Sequence, residues 1–155
     1  MKPEILAYFA GIIDGEGSLC IGRYAKTKNG APIWNISMQV SNTEEQMIDW
    51  ISEKFGGKKY IYTPAQTPKN SRKTVYRWQL LGHKLEEVCD LILPFSVIKK
   101  RQLEIMISFC VSLRQRDYRK GKRGPNISEE VTEYRMKLFY ELRSLHNRLA
   151  AVKHI

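Results

Sequence analysis

From Glu4 to Ile13 the chain carries a helical pattern, with Leu6, Phe9 and Ile13 on one side and Ala7, Ala10, Gly11 and Asp14 on another. Pro3 suits the first turn, where its missing N–H would have no partner anyway. The helix is expected to end in Asp14-Gly15-Glu16-Gly17, with its carboxylates at the C-terminal tip. After Gly17 the period becomes two. Leu19 and Ile21 alternate with Ser18, Cys20, Gly22, Tyr24 and Lys26, although Arg23 interrupts the apolar face. Asn29-Gly30 marks a turn. Ile33 to Asn42 alternates more cleanly, Trp34, Ile36, Met38 and Val40 against Asn35, Ser37, Gln39 and Ser41.

Thr43-Glu44-Glu45-Gln46 reads as a capping box with Thr43 as N-cap. It opens a helix with Met47, Ile48, Ile51 and Phe55 as its buried stripe and Gly56 as its end. Two more strands are expected, Lys58–Thr63 and Lys73–Leu81, joined by a polar, basic stretch from Pro64 to Arg72. On the second, Tyr76, Trp78 and Leu80 oppose Lys73, Val75, Arg77 and Gln79. The first has no clear parity, so it leaves open whether Lys58 or Lys59 shares the polar face.

A third helix, about His83 to Leu93, carries Leu85, Val88 and Ile92 and is stopped by Pro94. Ile98 to Leu113 is apolar on several sides, as a buried helix would be. Ser128 caps the last helix, with Val131, Tyr134, Leu138, Leu142, Leu145, Leu149 and Val152 as its stripe. Between them RQRDYRKGKRGPN is either a solvated linker or a phosphate-contacting arm. The order helix, two strands, helix, two strands, helix implies an α+β layer, with four strands whose one apolar face is covered by helices. The expected organisation is one domain over 1–155, with a core to about 113, a basic loop over 114–127 and a C-terminal helix over 128–152.

Charge sharpens the functional question. Lys and Arg number 26 against 16 Asp and Glu in 155 residues, a net charge of +10. That excess favours nucleic acid as the partner. No apolar run is long enough to span a bilayer, and no signal-peptide pattern opens the chain. Cys20, Cys89 and Cys110 are odd in number and lack metal-ligand spacing, so reduced thiols in an intracellular protein are expected, in a prokaryotic cytoplasm or an organelle matrix. Tyr24, Lys26, Lys28, Asn35, Ser37, Gln39, Ser41, Lys73, Val75, Arg77 and Gln79 are the candidates for a face that meets bases and phosphates. Acidic groups at a helix C-terminus oppose its dipole, costing roughly 0.3–1 kcal/mol each when exposed. A metal ion is the expected compensation.

Phe9-Ala10-Gly11-Ile12-Ile13-Asp14-Gly15-Glu16-Gly17 resembles the nine-residue signature of the LAGLIDADG homing endonucleases, with Phe9 for the first Leu, Gly15 for the second Ala and Glu16 for the final Asp. The resemblance covers the chain to about Leu113. It implies an αββαββα core whose saddle-shaped sheet lies in the DNA major groove, and a motif helix that packs against its twin. The last acidic residue, Glu16, would then bind the catalytic divalent metal. Asn42, after Gln39-Val40-Ser41, takes the place of an amide that helps order water. Gln46 stands where relatives often carry a basic residue, and the capping box accounts for it without any catalysis. Lys99, after Pro94-Phe95, takes the place of a lysine that stabilises charge on the scissile phosphate or orients the attacking water.

Phosphodiester hydrolysis needs an activated water and neutralised charge on the attacking and leaving oxygens. Mg²⁺, or another divalent cation such as Mn²⁺, suits a site of one carboxylate, Glu16, with the Gly15 carbonyl as an added ligand. One acidic helix tip per chain implies two copies for two strands, meeting at Ala7, Ala10, Gly11 and Asp14. The expected function is a homodimeric, sequence-specific double-strand DNA endonuclease with a pseudo-palindromic target. The alternatives are a non-cutting relative, such as an intron RNA maturase or regulator on the same scaffold, and a structural RNA-binding protein.

Overall fold

The computed structural model describes residues 1–26, 32–65, 72–115 and 127–152, with backbone only for 25–26 and 147–152. The elements run α1 (Pro3–Glu16), β1 (Gly17–Lys26), β2 (Pro32–Asn42), α2 (Glu45–Phe55), β3 (Lys58–Tyr62), β4 (Val75–Leu81), α3 (His83–Ile92), a 3-10 turn (Leu93–Phe95), α4 (Lys100–Arg114) and α5 (Glu129–Val152). The fold is α+β, and its strands form one antiparallel sheet in the order β1-β2-β4-β3.

Alternation along the strands decides which face is covered. Leu19, Ile21, Ile36, Met38, Val40, Trp78 and Leu80 point to the helix side and are buried with Phe9, Ile13, Ile48, Ile51 and Phe55. Phe9 of α1 stacks on Phe55 of α2 at 4.0 Å and meets Trp78 of β4 edge-on at 5.6 Å, so the motif helix is keyed into the core through one aromatic cluster. Trp78 donates its indole N–H to the Gly56 carbonyl at the end of α2. Gly56 and Gly57 both have positive φ, and a Cβ on Gly57 would lie 2.6 Å from the Trp78 indole nitrogen, so this corner requires glycine.

α4 and α5 run antiparallel. Arg101 pairs with Glu141 near one end, while buried Arg135 donates to the Ser112 hydroxyl at 3.3 Å and to its carbonyl near the other. Trp34 of β2 meets Phe109 of α4 and Phe139 of α5, so both C-terminal helices pack on the same side of the sheet.

α1 ends at Glu16, inside the expected Asp14-Gly15-Glu16-Gly17 tip, and its Ile13 carbonyl accepts from Gly17 N. Several other boundaries differ from the sequence expectation. Thr43 is not the N-cap of α2; Glu44 holds that position without a side-chain cap, and Asn42 Oδ1 accepts from Glu44 N at 2.9 Å. This short Asx turn, rather than a Thr43 cap, leads into α2. α3 ends at Ile92, with Pro94 inside the 3-10 turn, and α4 begins only at Lys100. β4 starts at Val75, so Lys73 precedes it. Tyr134 is exposed rather than part of the α5 stripe, which Leu138 and Leu142 carry. The Asn29-Gly30 turn and most of the 114–127 loop lie outside the described residues.

Candidate active site and nucleic-acid interface

The tip of α1 holds two carboxylates in opposite situations. Asp14 Oδ1 accepts from the Ser96 hydroxyl at 2.6 Å and from Lys99 N at 3.0 Å, and Oδ2 accepts from Val97 N at 2.7 Å and Ile98 N at 3.2 Å. Partial burial works to raise its pKa, but the Ser96 hydroxyl and the three amides outweigh it and hold the carboxyl below its ordinary 3.8. Glu16 is exposed and makes no hydrogen bond or ion pair among the described residues. Gly17 then turns the chain into β1, where a Cβ would lie 2.6 Å from the Ile13 carbonyl oxygen, so only glycine fits.

Lys99 reaches the same tip from the far side. It is only 9% exposed, and its Nζ donates to the carbonyls of Ile13 at 2.7 Å and Gly17 at 2.6 Å. These acceptors lie in the last turn of α1 and at the Gly17 that follows it, with the Ile13 carbonyl also accepting from Gly17 N. The positive charge that the acidic tip was expected to attract is therefore supplied, on the Asp14 side, by the protein itself. His146 of α5 has its pKa pushed down by burial and by the Lys99 charge, so the last helix closes in behind the lysine.

β2 runs two residues beyond Val40, the partner of Gly17, and ends at Asn42. Asn42 and Gln46 line one cleft with Tyr8 of α1 and Glu44, Met47 and Trp50 of α2, about 490 Å³ in volume. Tyr8 and Trp50 meet edge-on at 5.0 Å across it.

Among the described residues no helix covers the opposite face of the sheet. β1 contributes Ser18, Cys20, Gly22 and Tyr24 to this face, and β2 contributes Ile33, Asn35, Ser37, Gln39 and Ser41. From β4 come Val75, Arg77, Gln79 and Leu81, and from β3 Lys58, Tyr60 and Tyr62. Neighbouring polar groups hold one another: Asn35 donates to the Tyr24 hydroxyl at 3.3 Å, Gln39 to the Ser37 hydroxyl at 3.0 Å, and Arg77 to the Ser41 hydroxyl at 3.3 Å. Among the described residues, no Asp or Glu lies in a strand. This face is thus polar, aromatic and basic, without a carboxylate to repel phosphate.

No protein-family model and no curated protein matches the sequence. Solved structures do match the fold. The homing endonuclease I-CvuI in complex with its target in the presence of Ca superposes with a TM-score of 0.68 over 92% of this chain and 82% of that chain, at 14% identity. The archaeal intron-encoded homing endonuclease I-Vdi141I complexed with DNA gives 0.68 over 92% and 84%, at 19% identity. The LAGLIDADG homing endonuclease I-GzeII in complex with a DNA target gives 0.56 over 89% of this chain but 43% of that one, at 14% identity. The chain has the LAGLIDADG homing-endonuclease fold.

Within the LAGLIDADG fold, the expected site residues divide into groups. Asp14, Glu16 and Lys99 come together at the α1 tip, while Asn42 and Gln46 share the adjoining α1–α2 cleft. Tyr24, Asn35, Gln39, Ser41, Val75, Arg77 and Gln79 share the open face. Ser37 lies on it too, but Gln39 covers it and it is only 4% exposed, so it supports Gln39 rather than meeting a ligand. Lys73 is exposed just before β4. Lys26 ends β1 and is described in backbone only, and Lys28 lies outside the described residues.

Two interface expectations are corrected. Ala10 is fully buried against its own core, and Asp14 is engaged within its own chain. Ala7 and Gly11 remain exposed, and a Cβ on Gly11 would meet nothing within 4 Å.

Sequence reasoning left the parity of β3 open. The register sets Lys58, Tyr60 and Tyr62 beside Gln79, Arg77 and Val75, while Lys59 turns to the helix side and bridges Glu45 at 2.6 Å and Asp49 at 2.5 Å. The hydrogen bonds that Lys59 donates to Asp49 and Glu45 push its pKa up. The acidic i, i+4 pair on α2 is the signal that could have claimed Lys59.

Among the described residues no cluster of three His, Cys, Asp or Glu side chains could cage a metal ion. A cation that keeps most of its water and takes one carboxylate fits Glu16, with the Gly15 carbonyl in the same last turn. Cys89 and Cys110 are buried, and burial pushes both thiols up, Cys110 to about 12, so neither is a ready ligand. No helix among the described residues is long and apolar enough to cross a membrane.

Proposed function

We propose that the chain is a LAGLIDADG homing endonuclease: a sequence-specific double-strand DNA endonuclease that acts as a homodimer with a divalent cation, Mg²⁺ or Mn²⁺. The observation that carries this reading is the separation of charge: among the described residues the strands are free of carboxylates, and Glu16, at the tip of the motif helix, is a carboxylate without a partner. The open face supplies Arg77, Gln39, Gln79 and Asn35 for base edges, Lys58 for phosphates, and Tyr24, Tyr60 and Tyr62 as flat apolar contacts. The DNA in the complexes of I-CvuI, I-Vdi141I and I-GzeII supports duplex DNA as the ligand.

Glu16 and the Gly15 carbonyl would hold the cation, which when bound supplies charge neutralisation and an activated water. Lys99 holds a positive charge beside the tip, where negative charge builds on the scissile phosphate. Asn42 keeps its amide nitrogen to donate to water, because its Oδ1 is taken by Glu44 N. Gln46, exposed on the cleft rim, can hold a second water or a phosphate oxygen. Coverage of 82% and 84% on I-CvuI and I-Vdi141I, against 43% on I-GzeII, supports a single-copy chain that pairs with another.

Incubation with a randomised duplex library and Mg²⁺ tests the reading. Discrete double-strand cuts at one long, pseudo-palindromic site are expected, and none with chelator. Selective binding with intact strands would favour the non-cutting maturase or regulator instead.

A further inference from the structure

α1 and α4 hold each other by exchanged end-groups. The four donors of the 96–99 turn converge on one carboxylate of α1, and the ammonium of that same turn returns to two carbonyls of α1. Lys99 is the N-cap residue of α4 and has no side-chain cap of its own chain segment. Asp14 therefore satisfies the amides of the turn that leads into α4, and Lys99 donates to carbonyls at the end of α1. Each charge has the sign that the nearby helix dipole end favours. Each Asp14 oxygen accepts two hydrogen bonds, which uses the roughly four lone-pair sites of a carboxylate. Nothing is left for a cation.

We infer that Asp14 is a positioning residue for cleavage: its carboxylate fixes the 96–99 turn and, through it, the place of the Lys99 ammonium. The inference rests on the endonuclease reading, in which Lys99 stands beside the scissile phosphate. In Asp14→Asn an NH2 donor replaces one of the two oxygens, so two of the four donors lose their acceptor and the turn relaxes away from the α1 tip. A displacement of about 1 Å at a charge-stabilising group costs on the order of 100-fold in rate. DNA affinity, carried by the open sheet face, should not change.

The test compares Asp14→Asn, Ser96→Ala, Lys99→Met and the Asp14→Asn/Lys99→Met double variant in single-turnover cleavage, DNA binding and lysine acylation followed by mass spectrometry. Asp14→Asn is expected to slow cleavage about 100-fold with unchanged DNA affinity and unchanged Mg²⁺ dependence. The double variant should be no slower than Lys99→Met alone, since both act on one group. Acylation of Lys99 should be slow in the wild type and faster in Asp14→Asn. Ser96→Ala removes one of the four donors and should move cleavage and acylation less, in the same direction, which covers the case of an Asp14→Asn protein that does not fold. Losses that multiply in the double variant, a shifted Mg²⁺ dependence, or Lys99 acylation indifferent to both substitutions would overturn the inference. A wild type that leaves DNA intact would count against the endonuclease reading, and Lys99 acylation would still decide whether Asp14 holds the lysine.

Discussion

Asp14 and Glu16 are two residues apart on one helix turn, yet only one of them has partners. Asp14 is saturated by donors 82–85 residues away in sequence, while Glu16 faces out with none among the described residues. The difference separates structural from chemical roles. Glu16→Gln should abolish cleavage and leave duplex binding mostly intact, because the substitution removes a metal ligand and touches no core contact. Cleavage by a folded Glu16→Gln protein would remove the metal assignment. Asp14 should instead appear in the pH dependence of stability. Its folded pKa lies below the ordinary 3.8, so its contribution is complete above that value and is lost as pH falls through the lower folded one. Urea unfolding of wild type and Asp14→Asn should therefore differ most near about pH 6 and converge toward about pH 3. A constant gap across that range would contradict the assignment.

At the scale of elements, β2 was legible because one of its faces is buried and the other is not. Trp34, Ile36, Met38 and Val40 lie under the helices, and Asn35, Gln39 and Ser41 lie on the open side, as the alternation implies. β3 was not legible, because Ile61 is 62% exposed on the helix side and Lys59 is held there by α2 carboxylates. A local pattern cannot report a strand whose inward side chains are not apolar. The same reason hid the α1–α4 clasp, whose partners sit in different elements, and made Ala10 read as surface when the core requires it. The motif itself and the place of Lys99 were visible, but not what Asp14 touches. On the open face, Arg77 is steadied by Ser41 across the β2–β4 pair. Arg77→Ala should relax base preference at particular target positions, at about 1–3 kcal/mol for a bidentate base contact. Uniform weakening across sequences, read from binding to a substituted target series, would restrict Arg77 to the backbone.

At the scale of the molecule, the acidic groups among the described residues are confined to the helices and their connections, and the sheet face opposite the helices is left basic and polar. One chain offers one acidic tip, and a duplex has two strands. A two-fold pairing through the exposed Ala7 and Gly11 would bring two Glu16 carboxylates to the centre, with the sheets extending outward along the groove. Gly11→Leu fills space that is open in the single chain, so it should leave the folded chain stable yet cost dimerisation and cleavage together. Sedimentation of the wild type on the duplex it cuts, with both cut ends mapped, tests the account most directly. Two chains per duplex and one cut in each strand near the centre of a pseudo-palindrome are expected; a single chain cutting both strands of an asymmetric site would contradict it.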